Sequence, residues 1–307
     1  MPYGTTQAQL PEEHFQFMGS LPFIGFHFAA LAAAILVPPS AGDIALVVGM
    51  YYLRMFGIGA GFHRYFAHRT YSTSRAFQFF MAFLGGTAMQ KGGLWWAANH
   101  RHHHRFSDQP EDVHSPVQRG FWWSHVGWIL AGKWENTDYD AIPDMAKYPE
   151  LRFLNRFHML PPVVFAAVLV GSGWLIGGPH TALHAFVWGF MVSTVVLWHG
   201  TFTINSLSHV FGRRRFKTTD DSRNSLALAL ITNGEGWHNN HHYYPGSMSN
   251  GFYWWQVDLN AYVIRGLQAV GLVWDVRSPP ERVLKVGREG MAAQQGAAAM
   301  PAAEPAA

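Results

Sequence analysis

Four apolar blocks in two close pairs set the terms for this chain. Leu21–Pro39 holds no formal charge, and Asp43–Phe62 holds only Asp43 at its start and Arg54 inside. Pro161–Gly178 and Leu183–Ile204 come much later, parted by a Gly-Pro-His turn. Each block approaches the roughly 20 residues that a helix needs to cross about 30 Å of hydrocarbon. In that medium every backbone polar group must be satisfied internally, which favours helices. The pattern predicts two transmembrane hairpins, with spans at residues 21–39, 43–62, 161–178 and 183–204. Its competitor is a set of core helices in a large soluble protein. Composition weighs against that competitor: 13% of residues are charged, where a soluble domain has roughly 25%.

Charge orients the spans. Of the 22 Lys and Arg residues, eleven lie between His63 and Leu160, ten lie after Ile204, and the last is Arg54. The short connections at 40–42 and 179–181 have none. The positive-inside rule then puts both long segments, and both termini, in the cytoplasm. The expected fold is all-α and integral to the membrane: a segment 1–20, one domain over 21–289, and an Ala-rich tail at 290–307 read as disordered. Residues 63–160 and 205–289 form its helical cap. Within the cap, 77–97 reads as one helix lying along or dipping into the interface, and 119–131 as a second interfacial piece. No Lys or Arg precedes the first block, so it does not read as a signal peptide. A net charge of +3 is too balanced for a nucleic-acid binder. With no cysteine, the chain has no disulfide, thiolate metal site or iron–sulfur cluster of its own.

Histidine is the outlier, with 18 residues. His63 and His68 frame HRYFAH directly after the second block. His100, His102, His103 and His104 make HRHHH; His238, His241 and His242 make HNNHH. Positions i, i+3 and i+4 share one helix face, so His100, His103 and His104 can point one way, as can His238, His241 and His242. His102 points elsewhere and is left out. Asn205 and His209 are four apart at the end of the last block. His63 and His68 are five apart, about 140° on an ideal helix, so both reach one centre only if the helix ends between them. Nine imidazoles exceed the ligand set of a single ion, so two metals are the natural count; imidazole suits zinc, iron and copper. For His14, His27, His158, His180 and His184 nothing displaces the ordinary assignment of a hydrogen-bonded surface or core residue. His199 stays open.

HRYFAH, HRHHH and HNNHH resemble the three histidine boxes of membrane fatty acid desaturases. The runs RMFGIGAGFHRYFAHRTYSTSR, WWAANHRHHHRFSD, RGFWWSHVGW, INSLSHVFG and NGEGWHNNHHYYP look like the acyl-CoA Δ9 (stearoyl-CoA type) desaturases, especially bacterial members, over roughly residues 20–275. The resemblance implies a bacterial inner-membrane enzyme with four spans and a cytoplasmic cap holding two iron ions. One iron would take His63, His68, His100, His104 and His241. The other would take His103, His209, His238 and His242, with Asn205 reaching it through water. The resemblance also implies a bent acyl tunnel, with Trp96 and Thr201 at the kink and Gln90 helping to hold it. Tyr51 and Met55, on the His63 face of the second span, would limit chain length.

The match has gaps. The animal acyl-CoA enzymes carry Arg and Asp before the second box, where this chain has Ala98 and Asn99. Arg119 is then the candidate headgroup contact, and the acyl carrier stands open between CoA, phospholipid and carrier protein. Arg54 has no assigned role, although an intramembrane arginine is a functional candidate by default. Asp108, Glu111, Asp112 and Glu235 are candidates to hold the outer ring nitrogens of the histidines. Without cysteine or a dinucleotide fingerprint, the chain needs a separate electron donor (ferredoxin, rubredoxin or cytochrome b5-like) with its reductase. The basic run Arg213, Arg214, Arg215 and Lys217 is the candidate dock, with lipid headgroups as its competitor. The expected activity is O2-dependent insertion of a cis double bond, at Δ9, into a saturated acyl chain, with acyl-CoA as the expected substrate. Its rivals are an acyl-lipid desaturase, a di-iron hydroxylase of a lipid or alkane, and a membrane metal-binding protein.

Overall fold

The computed structural model describes residues 15–299, which are mostly helical. Among the described residues three helices are long and apolar enough to cross a membrane: Phe17–Leu36, Ala41–Ala67 and Leu160–Ser206. The first, α1, turns Phe28, Leu31, Ile35 and Leu36 outward. An unpaired apolar surface of this kind suits a membrane surround.

Ser40 starts the second helix with a reciprocal cap. Its hydroxyl accepts from the Asp43 amide and its amide donates to the Asp43 carboxylate. The single acid at the start of that block is therefore a helix cap, which also accepts from His184 Nδ1 at 2.9 Å. After α2 (Ala41–Phe56) the winding changes. Gly57–Ala67 is a π-helix, and at its end the His68 amide donates to the His63 carbonyl, five residues back.

The third long element is not a straight rod. Gly177 and Gly178 leave helical geometry inside α5 (Leu160–His184), with Gly178 at φ 69°. A Cβ on Gly173 would lie 2.8 Å from the Thr181 carbonyl oxygen. Residues eight apart along a continuous helix are about 12 Å apart, so the chain doubles back here. It returns through a second π-helix, Ala185–Val192, into α6 (Ser193–Ser206).

The structure departs from expectation at residues 77–97 of the cap and in the tail beyond it. Residues 77–97 are not one interfacial helix but the end of α3 (Arg75–Gly86) and the start of α4 (Gly93–Phe106). Glycines explain the break: a Cβ on Gly85 or Gly93 would enter the Phe62 ring, and one on Gly92 would enter Asn155. The first of these helices packs Met81, Ala82 and Leu84 against protein. Residues 119–131 form two short turns, Phe121–His125 and Gly127–Leu130, with Trp122 outward. The tail expected to be disordered is helical as far as Ala299, in Glu281–Ala299, since alanine has the highest helix propensity. Residues 300–307 and 1–14 lie outside the described residues. Ser72–Thr73 pairs antiparallel with Val273–Trp274 and ties the C-terminal part of the cap to the π-helix exit. The main core is built around that π-helix by Met55, Ile58, Phe62, Phe66, Met81, Leu94 and Leu197.

Candidate metal centre and its cavity

Five imidazoles form one group, His63, His68, His100, His104 and His241, and four form another, His103, His209, His238 and His242. In each group the ligand atoms all lie within 4.8 Å of one another. The division cuts through both trios. Gly93–Phe106 sends His100 and His104 to the first group and His103 to the second; His238–Tyr243 sends His241 to the first and His238 and His242 to the second. Spacing alone pointed each trio at one point. In the structure each helix lies between two centres, and the rings at i+3 and i+4 diverge to either side. The condition set for His63 and His68 is also replaced. The helix does not end between them; π-winding, with its i to i+5 bond, stacks residues five apart.

The ring orientations are those of a ligand set. In the first group, His63, His241, His104, His100 and His68 place successive Nε2 atoms 2.9, 2.9, 3.0 and 2.9 Å apart. Ligand nitrogens about 2.1 Å from one ion and at right angles to one another are about 3.0 Å apart. In the second group His209 and His238 present Nε2 atoms 3.1 Å apart. The buried Nε2 atoms of His103 and His242 have no hydrogen-bond partner. Their Nδ1 atoms donate to Asp112 at 2.8 Å and Asp220 at 2.6 Å, so each Nε2 carries a lone pair facing inward. His209 donates in the same way to Asp108 at 2.8 Å, and His63 to Glu235 at 2.6 Å. Inward lone pairs facing one another without a donor fit a bound cation.

Electrostatics agree. Burial holds His100, His104, His238 and His241 well below the ordinary histidine value, so they are neutral. Burial also lowers His242, to about 4, against the pull of Asp220. Burial would raise Glu235, but Arg64 and His63 outweigh it and hold the carboxyl at about 2. Burial likewise opposes ionisation of Asp112, and His103 outweighs it and keeps that pKa below the usual range. Arg64, itself fully buried, pairs with Glu235 and Asp258 at 2.9 Å each. Gly59 is required at this packing: a Cβ there would run into the Asn260 amide and the Glu235 carboxylate.

A cavity runs to these histidines. Its outer part, with an empty volume of about 720 Å³, is walled by Phe23, Trp95, Trp128 and Trp198. Its inner part ends at Ile58 and Gly59. Trp96, His100, His114, Thr201 and Asn205 line both. Trp96 stacks on His100 with ring centres 4.9 Å apart, and Gln90 Nε2 donates to Thr201 Oγ1 at 3.0 Å. Tyr51 and Met55 are buried but are not among the lining residues; the Tyr51 hydroxyl donates to the Ile231 carbonyl at 2.9 Å. Arg119 lies over the Trp123 ring, 3.6 Å from its centre, and is not among the lining residues either.

His102 Nε2 donates to the Glu111 carbonyl, 2.9 Å away, and stands outside both groups; among the described residues the Glu111 carboxylate supports neither group. Arg54 donates to Thr194, Ser193 and the Met50 carbonyl and lies over Phe165, so it is satisfied by hydroxyls and a ring. His199, left open from sequence, links His27 and His125 at 3.3 and 3.1 Å. Sequence reasoning missed Asp220 and His114. Asp220 follows a basic run with no spacing relation to His242. His114 stands alone in sequence, yet its ring centre lies 4.4 Å from that of His103.

A model of the fatty acid desaturase family matches residues 40–275. The chain belongs to that family. It is 36% identical to a hex-5-enoyl-[acyl-carrier protein] acetylenase of Moorena producens (strain JHB), over 90% of this chain and 89% of the relative. It is also 36% identical to an sn-2 palmitoyl-lipid 9-desaturase of Nostoc sp. (strain 36), over 83% and 88%. An acyl-CoA 5-desaturase of Anemone leveillei is 37% identical over 74% and 69%. Membership makes the protein an oxidoreductase of fatty acyl chains, and its apolar helices suit a membrane protein. The buried histidine groups are compatible with a metal site. The names of these relatives differ in acyl carrier, in bond position and in reaction.

Proposed function

We propose that this chain is an O2-dependent desaturase that inserts a cis double bond, at Δ9, into a saturated fatty acyl chain. The observation that carries the reading is two adjoining groups of inward imidazoles at the inner end of an apolar cavity. Their lone pairs fit two iron ions, one held by His63, His68, His100, His104 and His241. His103, His209, His238 and His242 would hold the other, with Asn205 contributing through water. Bound iron would supply, with O2 and two electrons, the oxidising power to remove two hydrogens from unactivated methylenes. The chain's own residues do the rest. Glu235, Asp112, Asp108 and Asp220 fix the ring tautomers. Apolar cavity walls exclude water. Trp96 and the Gln90–Thr201 bond bend the acyl chain beside the metals, and how far it inserts sets the bond position. Tyr51 and Met55 act on chain length through the packing behind the inner end.

The proposed architecture is four spans in two hairpins, supported by the reversal at Gly177–Gly178. Both termini and the cap lie in the cytoplasm of a bacterium, the inner membrane holding the spans, as the distribution of Lys and Arg supports. A separate ferredoxin, rubredoxin or cytochrome b5-like donor, kept reduced by its reductase, delivers electrons to the cap. The test is the fatty acid profile of a host with a suitable donor and little desaturase background. A new monounsaturated acid, absent with His241→Ala, is the expected result. Hydroxy acids in its place would overturn desaturation.

A further inference from the structure

The two histidine groups differ in how they meet the outside of the protein. The group of four is sealed. The side chains of His103, His209 and His242 are 2%, 1% and 1% exposed, and His238 is buried. In the group of five, His63 and His241 are buried, but His68, His100 and His104 are partly exposed. His100 lines the cavity, which accounts for its exposure; His68 and His104 line no part of it. These two residues therefore open to the outer surface. Their hydrogen bonds agree. Nε2 of each ring points into the group. Nδ1 of each has no protein partner and, unlike the orphaned Nδ1 of His241, is not buried. With ring centres 4.6 Å apart, the two imidazoles make a window onto the group of five. Electron transfer weakens steeply with distance, so a window of ligand rings gives an outside electron its shortest way in.

The window is set among arginines. Arg69 follows His68 in the chain, and Arg105 follows His104. Arg105 is exposed and lies over the Phe106 ring; among the described residues no carboxylate pairs with it. Arg69 is half-exposed and 4.0 Å from Asp144, which Arg101 already engages at 2.7 and 3.0 Å. Arg277 is exposed too, and its amide donates at 2.9 Å to the carbonyl of Thr70, two residues past His68. Asp275 stands two residues from Arg277 but does not pair with it. The frame of the window is fixed, because Arg101 donates to the Ala67 and Phe66 carbonyls at 2.9 and 3.1 Å and clamps α4 to the end of the π-helix. The basic run behind the second group offers less. Arg214 is engaged by Asp221 and the Asp220 carbonyl, Arg215 lies over the Tyr253 ring, and the His242 ring that Asp220 holds is covered.

We infer that the electron donor is a small carrier protein with an acidic face, which docks on the window of His68 and His104 with Arg69, Arg105 and Arg277 around it. This inference rests on the desaturase reading, which needs two electrons from outside. It moves the dock away from the basic run at 213–217 expected from sequence. Each docking oxidises the carrier by one electron and reduces one ferric ion to ferrous at the group of five. Two such transfers and two protons from solvent balance the reduction of O2 to two waters as two hydrogens leave the acyl chain. The group of four is reached from inside, where the ring centres of His104 and His242 are 4.5 Å apart. Opposite charge steers such partners together and fixes their register. The window lies outside the cavity, so donor and acyl chain do not compete.

The experiment uses the full iron-loaded chain, purified, with a plant-type ferredoxin, a rubredoxin and a cytochrome b5 as separate probes. Binding of each oxidised probe is measured by titration. Electron transfer is followed by the absorbance of each reduced probe, without acyl substrate or O2. At least one probe should bind and transfer, with affinity falling as salt rises. Arg105→Glu and Arg277→Glu should each weaken that binding and slow that transfer roughly tenfold, with iron content and reduction by dithionite unchanged. Arg105→Lys should keep both. Arg213→Glu and Lys217→Glu should change neither. The reverse pattern would overturn the inference and return the dock to the basic run. Binding by none of the probes, while dithionite still reduces the iron, would overturn the acidic carrier. Normal docking and transfer without any monoenoic product would overturn the desaturase reading and leave the dock standing.

Discussion

The two histidine groups are built differently. In the group of four, three rings lean on carboxylates: His103 on Asp112, His209 on Asp108, His242 on Asp220. In the group of five, His63 alone does so, through Glu235. Its other rings are held by one another, with ring centres of His68, His100, His104 and His241 mostly 4.6 to 4.9 Å apart. One group is fixed by hydrogen bonds to charge, the other by ring number and packing. A carboxylate behind an imidazole sets its tautomer and raises its basicity. A set of four with three rings so supported can match a set of five with one.

That contrast can be broken in steps. Removing a ligand should have the largest effect: His241→Ala and His238→Ala should each abolish desaturation. Iron analysis of the purified protein should show the loss centred on the group that was cut. Equal loss of both metals in both variants would mean that the groups act as one unit. Next in size are the carboxylates. Asp112→Asn and Asp220→Asn should weaken metal retention by about 10- to 100-fold, read by iron content after graded chelation. Glu235→Gln should cost at least as much, because it also strands buried Arg64. A milder Glu235 variant would mean that packing alone holds the group of five. Gly59→Ala should mimic it, since the added methyl pushes on Glu235 and Asn260; lowered iron content with normal expression would be the sign. Smaller again is Met55→Ala, expected to shift product chain length with little change in total conversion. His102→Ala, lying on the same helix but outside both groups, should be near neutral, whereas His103→Ala should be inactive. A dead His102→Ala would undo the division of the second histidine box.

Some of this site was legible in sequence because its signals are local. The three boxes, the outlying His209 and the exclusion of His102 follow from spacing at helix ends beside apolar blocks. What spacing could not give is where a helix stands. Each trio looked like three ligands for one ion, but a helix placed between two centres sends neighbouring rings to different sides. The relation of His63 to His68 needed π-winding, which depends on how Gly57, Gly59 and Gly61 pack and not on any residue pattern recognisable in advance. Asp220 was invisible for a similar reason: a loop after the basic run folds back to His242, and only the fold measures that distance. The break at Thr87–Gly92 was hidden because an apolar run broken by glycine pairs fits both one bent helix and two.

The sequence by itself pointed to the medium and to the candidate ligands. Apolar length and scarce charge suit a membrane, since so much unpaired hydrophobic surface is costly to expose to water, and helical periodicity groups the imidazoles beside the apolar blocks. The tertiary structure decided how nine imidazoles divide into two groups and which carboxylates support them. Those are separations between elements far apart in the chain. Packing sets them, through glycines that admit close approach and buried charges that must find partners, and no local periodicity encodes them.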